Sequence, residues 1–133
     1  MPELKHSELT EKILRCSFEV HSQLGAGFLE KVYENALVIE LAECGLPFEQ
    51  QKQLLVHYKG HVVGAFVADL IVDDKIIVEL KAVEKVTDIH EVQLKNYLCA
   101  TGIEVGLLLS FGKSVQISRK FVENQSGVIP RSS

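Results

Sequence analysis

Three charged residues interrupt an otherwise apolar strand pair: Asp69, Glu79 and Lys81 in DLIVDDKIIVELK, residues 69–81. Burying charges without partners costs several kcal/mol each, so a chain that does this needs a compensating ion or ligand. Strand side chains alternate faces, which predicts that Val67, Asp69 and Ile71 share one side and Ile77, Glu79 and Lys81 one side of the next strand. The turn decides whether the two sets meet. A two-residue loop at Asp73-Asp74 sets Asp69 opposite Val78, whereas a three-residue loop, Asp73-Asp74-Lys75, sets it opposite Glu79. Carboxylates opposed in this way, with Cβ atoms ~5 Å apart, repel unless something positive sits between them, and a divalent cation is the natural candidate. Lys81 follows on the same face, where an ammonium can hold or polarise a reacting water. The spacing taken alone fits equally an Asp-Lys-Glu ion network that solvates one sheet face.

Other polar residues fall into register with this group. The segment GAGFLEKVYENAL contains Gly27-x-x-Glu30-x-x-Tyr33, which puts Glu30 and Tyr33 one helical turn apart on a face shared with Leu37. A carboxylate complementing the helix N-terminus would explain Glu30 too, though not an inward orientation. Downstream, His90, Gln93 and Tyr97 are spaced i, i+3 and i+7, so they form a polar stripe flanked by Ile89 and Leu94. As a structural alternative, Tyr97 is a core ring with its hydroxyl at the rim and His90 a helix-start residue.

These residues must be held by a small set of elements. Apolar positions Ile13, Cys16, Val20 and Leu24 predict a helix from Thr10 to Leu24, stopped by Gly25 and Gly27. A second helix is expected from about Phe28 to Cys44, ended by Gly45 and Pro47. QLLVHYKG, HVVGAFVADLIV and KIIVELKAV, separated by Gly60 and by Asp73-Asp74, read as three antiparallel strands. Thr87 can cap a third helix reaching Ala100 and closed by Gly102. EVGLLLSF reads as a buried strand, central at Val105 to Leu109, and VQISRKFV as a last, partly exposed one. The order describes an α/β or α+β layer of helices on a mixed sheet.

Composition narrows the classes. With 133 residues, 47% hydrophobic and 24% charged, the chain suits one domain, expected over residues 8–122 with a polar, mobile tail at 123–133. A net charge of -4 provides no global basic field, so a polyanion site would rest on a local patch. Lys31, Lys85, Lys95, Lys113, Arg119 and Lys120 either rim the site or are scattered solubilising charges. Cys16, Cys44 and Cys99 are odd in number and widely spaced, fit neither a disulfide framework nor a zinc site, and read as small core residues. No apolar run approaches the ~20 residues that cross a bilayer, and the chain reads as cytoplasmic with no membrane partner.

The motifs LGAGFLEKVYENAL, YKG, VADLIVDDKIIVELKAV, HEVQLKNYL and GLLLSFG, in that order over residues 10–122, resemble the GxxExxY protein family of the PD-(D/E)XK nuclease superfamily. The resemblance implies a restriction-endonuclease-like α-β-β-β-α-β core with a mixed central sheet flanked by helices. It further implies that Asp69 and Glu79 are metal carboxylates, joined by the Leu80 backbone carbonyl and by Glu30 from the early helix. Lys81 matches the catalytic lysine, and Gln93 with Tyr97 matches the Gln-x-x-x-Tyr motif that supports the active centre in RecB-like exonucleases. Gly27, Tyr33 and His90 complete the motifs. Ala68 stands where the superfamily usually has proline before the Asp.

Two functional expectations follow. The first is hydrolysis of nucleic-acid phosphodiester bonds with Mg²⁺ or Mn²⁺, hard cations that take oxygen ligands. DNA is preferred over RNA by analogy with the superfamily, since no RNA-binding signature or base-stacking aromatic series is visible. The alternative is a non-catalytic module that keeps the nuclease fold and acts through a partner or ligand. A homodimer is a candidate assembly, since symmetric pairs are the commonest oligomers, with no interface legible in the sequence.

Overall fold

The computed structural model describes residues 5–123. Its elements in chain order are α1 (Ser7–Leu24), α2 (Glu30–Glu43), β1 (Phe48–Tyr58), β2 (His61–Val72), β3 (Ile76–Lys81), α3 (Asp88–Thr101), β4 (Val105–Phe111) and β5 (Val115–Phe121). The expected tail from residue 124 onward lies outside the described residues. The strands form one five-stranded sheet in the order β1-β2-β3-β4-β5, with β3 and β4 parallel and the other pairs antiparallel. This mixed α+β arrangement matches a restriction-endonuclease-like core.

Both sheet faces are covered. On one, Ile13, Cys16 and Val20 of α1 and Tyr33, Leu37 and Leu41 of α2 pack on Leu70, Val78, Leu80, Leu107 and Leu109. On the other, Leu94 and Leu98 of α3 pack on Ala68, Ile71, Ile77 and Leu108. Strand β4 is buried at every position because it has strands on both sides and helices on both faces. The middle of the sheet is nevertheless β3 and not β4, because β5 closes the far edge.

Element ends differ from expectation where local chemistry is weak. Strand β1 begins at Phe48, five residues before Gln53, because the polar run FEQQK pairs with the apolar end of β2, from Phe48 opposite Val72 to Lys52 opposite Ala68. Lys59 and Gly60, at φ 50° and 81°, make the tight turn between β1 and β2. At α3 the Thr87 side chain accepts from the His90 N–H while His90 Nδ1 accepts the Thr87 N–H, a reciprocal cap in which histidine takes the usual place of Glu or Gln.

The cysteines depart from the core reading. Cys16 is buried, but Cys44 and Cys99 are exposed, because Cys44 falls at the end of α2 and Cys99 on the outer side of α3. Among the described residues no helix is long and apolar enough to cross a membrane.

Candidate active site

The β2–β3 hairpin takes the odd-length loop. Val72 pairs with Ile76, Ile71 with Ile77 and Leu70 with Val78, leaving Asp73, Asp74 and Lys75 in the turn. Asp73 and Asp74 both sit in the left-handed region, at φ 54° and 55°, and the Lys75 N–H bonds to the Val72 carbonyl. The ladder stops at Leu70–Val78, just short of Asp69 and Glu79, the next residue on each strand. The two strands are linked there by side chains: the Asp69 N–H donates to Glu79 Oε2, and the Leu80 N–H donates to Asp69 Oδ2, both at 2.9 Å.

Strict alternation fails at this point, which corrects the expected grouping of Val67, Asp69 and Ile71. Phe66 and Ala68 join Ile71 in the layer under α3, whereas Val67 is 48% exposed and belongs to neither core cluster. The slip coincides with Gln51 on β1, which lies between the rungs Gln50–Leu70 and Lys52–Ala68 and has a left-handed φ of 54°. Such a conformation costs a non-glycine residue about 1–2 kcal/mol. The return is local: the Gln51 amide donates to both oxygens of Glu34 at 3.0 Å and to Asp69 Oδ1 at 3.4 Å.

Glu34 is the residue that the sequence reading missed. Only 3% exposed, it accepts bonds from Gln50 at 2.7 Å and Lys31 at 3.1 Å besides Gln51. The signal was present in the spacing, since Glu34, Leu37 and Leu41 share one face of α2 and all three are buried. Glu30, one turn earlier, is exposed and reaches the pair only by raising the Asp69 pKa through its charge.

Crowded acids shift one another. Burial, then the neighbouring Asp69 charge, pushes the Glu79 carboxyl from an ordinary 4.5 up to about 7, although the Asp69 N–H and the Lys81 ammonium pull the other way. Burial raises Asp69 as well, with Glu34 adding to the rise and the Leu80 N–H opposing it. Tyr97 is raised by burial and by the charges of Glu79 and Asp69, while its hydrogen bond with Gln93 works against this. Asp69, Glu79, Lys81, Gln93 and Tyr97 thus form one electrostatic group. The Tyr97 ring is anchored by parallel stacking on Phe66, with centroids 3.6 Å apart. His90 stays with the helix cap described above.

Tyr33 explains the Gly27-x-x-Glu30-x-x-Tyr33 spacing in structural terms. Fully buried, it stacks on Phe111 at 4.6 Å, donates its hydroxyl to the Gly25 carbonyl at 2.6 Å and accepts the Phe28 N–H at 3.2 Å. It therefore pins the loop before α2, where Gly27 has a φ of 104° that other residues rarely adopt. This loop walls an open cleft of about 660 Å³ whose opposite side is Ala82, Val83 and Glu84, the residues that follow Lys81.

Among the described residues no group of three or more His, Cys, Asp or Glu is arranged to hold a metal, and Glu34 is hydrogen-bonded to Gln50, Gln51 and Lys31. The donor set still suits a hard cation: two neighbouring carboxylates, both raised in pKa by burial and by nearby acidic charges, Asp69 and Glu34 acting on Glu79 and Glu34 with Glu30 acting on Asp69, a strain that cation binding would relieve. Mg²⁺ commonly takes one or two carboxylates and keeps several waters, so a pair is sufficient.

The mixed sheet thus carries Asp69 on β2 and Glu79-x-Lys81 on the adjacent β3, with Gln93-x-x-x-Tyr97 on α3. The chain belongs to the PD-(D/E)XK nuclease superfamily, whose family model matches residues 7–121. Neither the curated proteins nor the solved structures offer a match to it. Membership suggests nuclease-type function and implies a nucleic-acid substrate, and PD-(D/E)XK nucleases are generally divalent-metal dependent.

Proposed function

We propose that the protein is a Mg²⁺- or Mn²⁺-dependent phosphodiesterase acting on nucleic acid, with DNA the substrate. The observation that carries this reading is the Asp69–Glu79 opposition with Lys81 two residues further along β3. Asp69, Glu79 and the Leu80 carbonyl would hold the cation, with Glu34, bridged to Asp69 by Gln51, supplying further negative charge. When bound, the cation supplies charge neutralisation at the scissile phosphate and favours ionisation of the attacking water.

The chain's own residues do the rest. The Lys81 ammonium hydrogen-bonds no described residue, which leaves it available to orient the attacking water or the phosphate. Gln93 and Tyr97 line the same centre from α3 and position the lysine or the nucleic-acid backbone. Preference for DNA rests on superfamily analogy together with the lack of an exposed aromatic series suited to stacking single-stranded bases. Of the lysines and arginine named as a possible rim, Lys31 pairs with Glu34 beside the centre, whereas Lys120 is engaged with Glu91 and Arg119 with the Lys5 carbonyl.

The test is cleavage of single- and double-stranded DNA and RNA with and without Mg²⁺ or Mn²⁺. The expected result is metal-dependent cutting that is lost in Asp69→Ala and in Lys81→Ala. Cutting that persists in both variants defeats the assignment. A wild-type protein that binds neither ion at millimolar concentration by calorimetry would instead mark a non-catalytic module with a nuclease fold.

A further inference from the structure

Outside the nuclease-type centre, two thiols from different helices meet. Cys16 Sγ on α1 and Cys44 Sγ at the end of α2 are 3.6 Å apart, although 28 positions separate them in sequence. Cys16 is buried in the helical layer and Cys44 is exposed, so one thiol is reachable from solvent and the other is reachable through it. Closing this separation to the ~2.05 Å of a disulfide needs a movement of about 1.5 Å. The place for that movement exists: Cys44 is the C-cap of α2, beyond its last helical residue, and Gly45 follows with a φ of 74°. Cys99, exposed on α3, has no such neighbour among the described residues.

We propose that Cys16 and Cys44 are a disulfide-forming pair, a site of reversible oxidation by low-molecular-weight disulfides such as glutathione disulfide. The Cys44 thiolate attacks one sulfur of glutathione disulfide, the S–S bond breaks and one glutathione thiolate leaves. Cys16 then gives up its proton and attacks Cys44 Sγ, which expels the second glutathione. Two protein thiols lose two electrons and two protons in all, and one glutathione disulfide becomes two glutathiones. In the reduced pair, burial, the neighbouring Cys44 and the Glu40 charge push the Cys16 thiol up to about 12, which leaves the exposed Cys44 as the attacking thiol. The product ties α1 to α2, the two helices that cover one face of the sheet.

The test is incubation of the full chain with glutathione disulfide, followed by intact mass and peptide mapping. The proposal expects a loss of about 2 mass units, a single linked peptide pair containing Cys16 and Cys44, and a rise in Tm of roughly 5 °C that a dithiol reverses. Cys44→Ser, at an exposed position that should not disturb folding, removes the link and the Tm rise, while Cys99→Ser keeps both. Oxidation that stops at a glutathione adduct on Cys44, or a Cys16–Cys44 link that forms only in denaturant, overturns it.

Discussion

Asp69 and Glu79 face each other across β2 and β3, and each carboxylate accepts an N–H from the opposite strand: Glu79 that of Asp69, Asp69 that of Leu80. Two consequences follow. The carboxylates are held in place without any cation, so the centre is preformed. Both pKa values rise, chiefly through burial, with the Asp69 charge adding to the rise at Glu79 and the Glu34 and Glu30 charges to the rise at Asp69.

The rise at Glu79 contributes to the pH dependence of the metal-free protein. Between the ordinary carboxylate range and about 7, the folded state binds more protons at Glu79 than the unfolded state does. Stability from this group is therefore present at low pH and lost as pH climbs through about 7, by up to ~3 kcal/mol at ~1.4 kcal/mol per unit. Thermal melts at pH 5 and 8 should show wild type losing more than Glu79→Gln, and Mg²⁺ should restore part of the loss at pH 8. Equal slopes for the two proteins would contradict the shift.

Glu34 and Glu30 make a discriminating pair. Glu34→Gln is expected to weaken Mg²⁺ binding by ~10-fold or more, because it removes a buried charge linked to Asp69 through Gln51. Glu30→Gln, at an exposed position, should change it less than ~3-fold. Calorimetric titration reads both, and the reverse order would favour Glu30 over Glu34 as the acidic contribution of the early helix.

Tyr33→Phe keeps the stack on Phe111 but leaves the Gly25 carbonyl and Phe28 N–H without their partner. A loss of about 1–3 kcal/mol is expected in denaturant unfolding. Hydrogen exchange should speed up first in the loop before α2. Faster exchange spread evenly over the sheet would argue against a local clasp.

Gly106→Ala probes the opposite face. A Cβ there would come within 2.8 Å of Leu94 Cδ1, and Leu94 is buried between α3 and the sheet. Overpacking of this kind costs about 1–3 kcal/mol, visible as a lower urea midpoint with an unchanged slope. No change would mean that α3 shifts without penalty.

Much of this was legible in the chain because it rests on period and turn chemistry. The choice between loop lengths defined when Asp69 and Glu79 would meet, and the three-residue loop is the one observed, although alternation through VADLIV breaks between Ala68 and Ile71. Thr87 and Gly102 marked the ends of α3 by capping alone. The missed parts depend on contacts distant in sequence. FEQQK carries no strand pattern and becomes one by pairing with β2, and Glu34 resembles any helical glutamate until Gln50 and Gln51 arrive from β1. The meeting of Cys16 with Cys44 likewise depends on how α1 crosses α2, which no spacing rule encodes.

Gln51 has one further consequence. Strand β1 is the outer rim of the sheet, and a long rim with a straight row of free amides invites another chain to add itself as a further strand. A left-handed residue partway along β1 interrupts that row, with charged Glu49 and Lys52 close by. The kink that turns an amide toward Glu34 and Asp69 also makes the rim a poor template for aggregation.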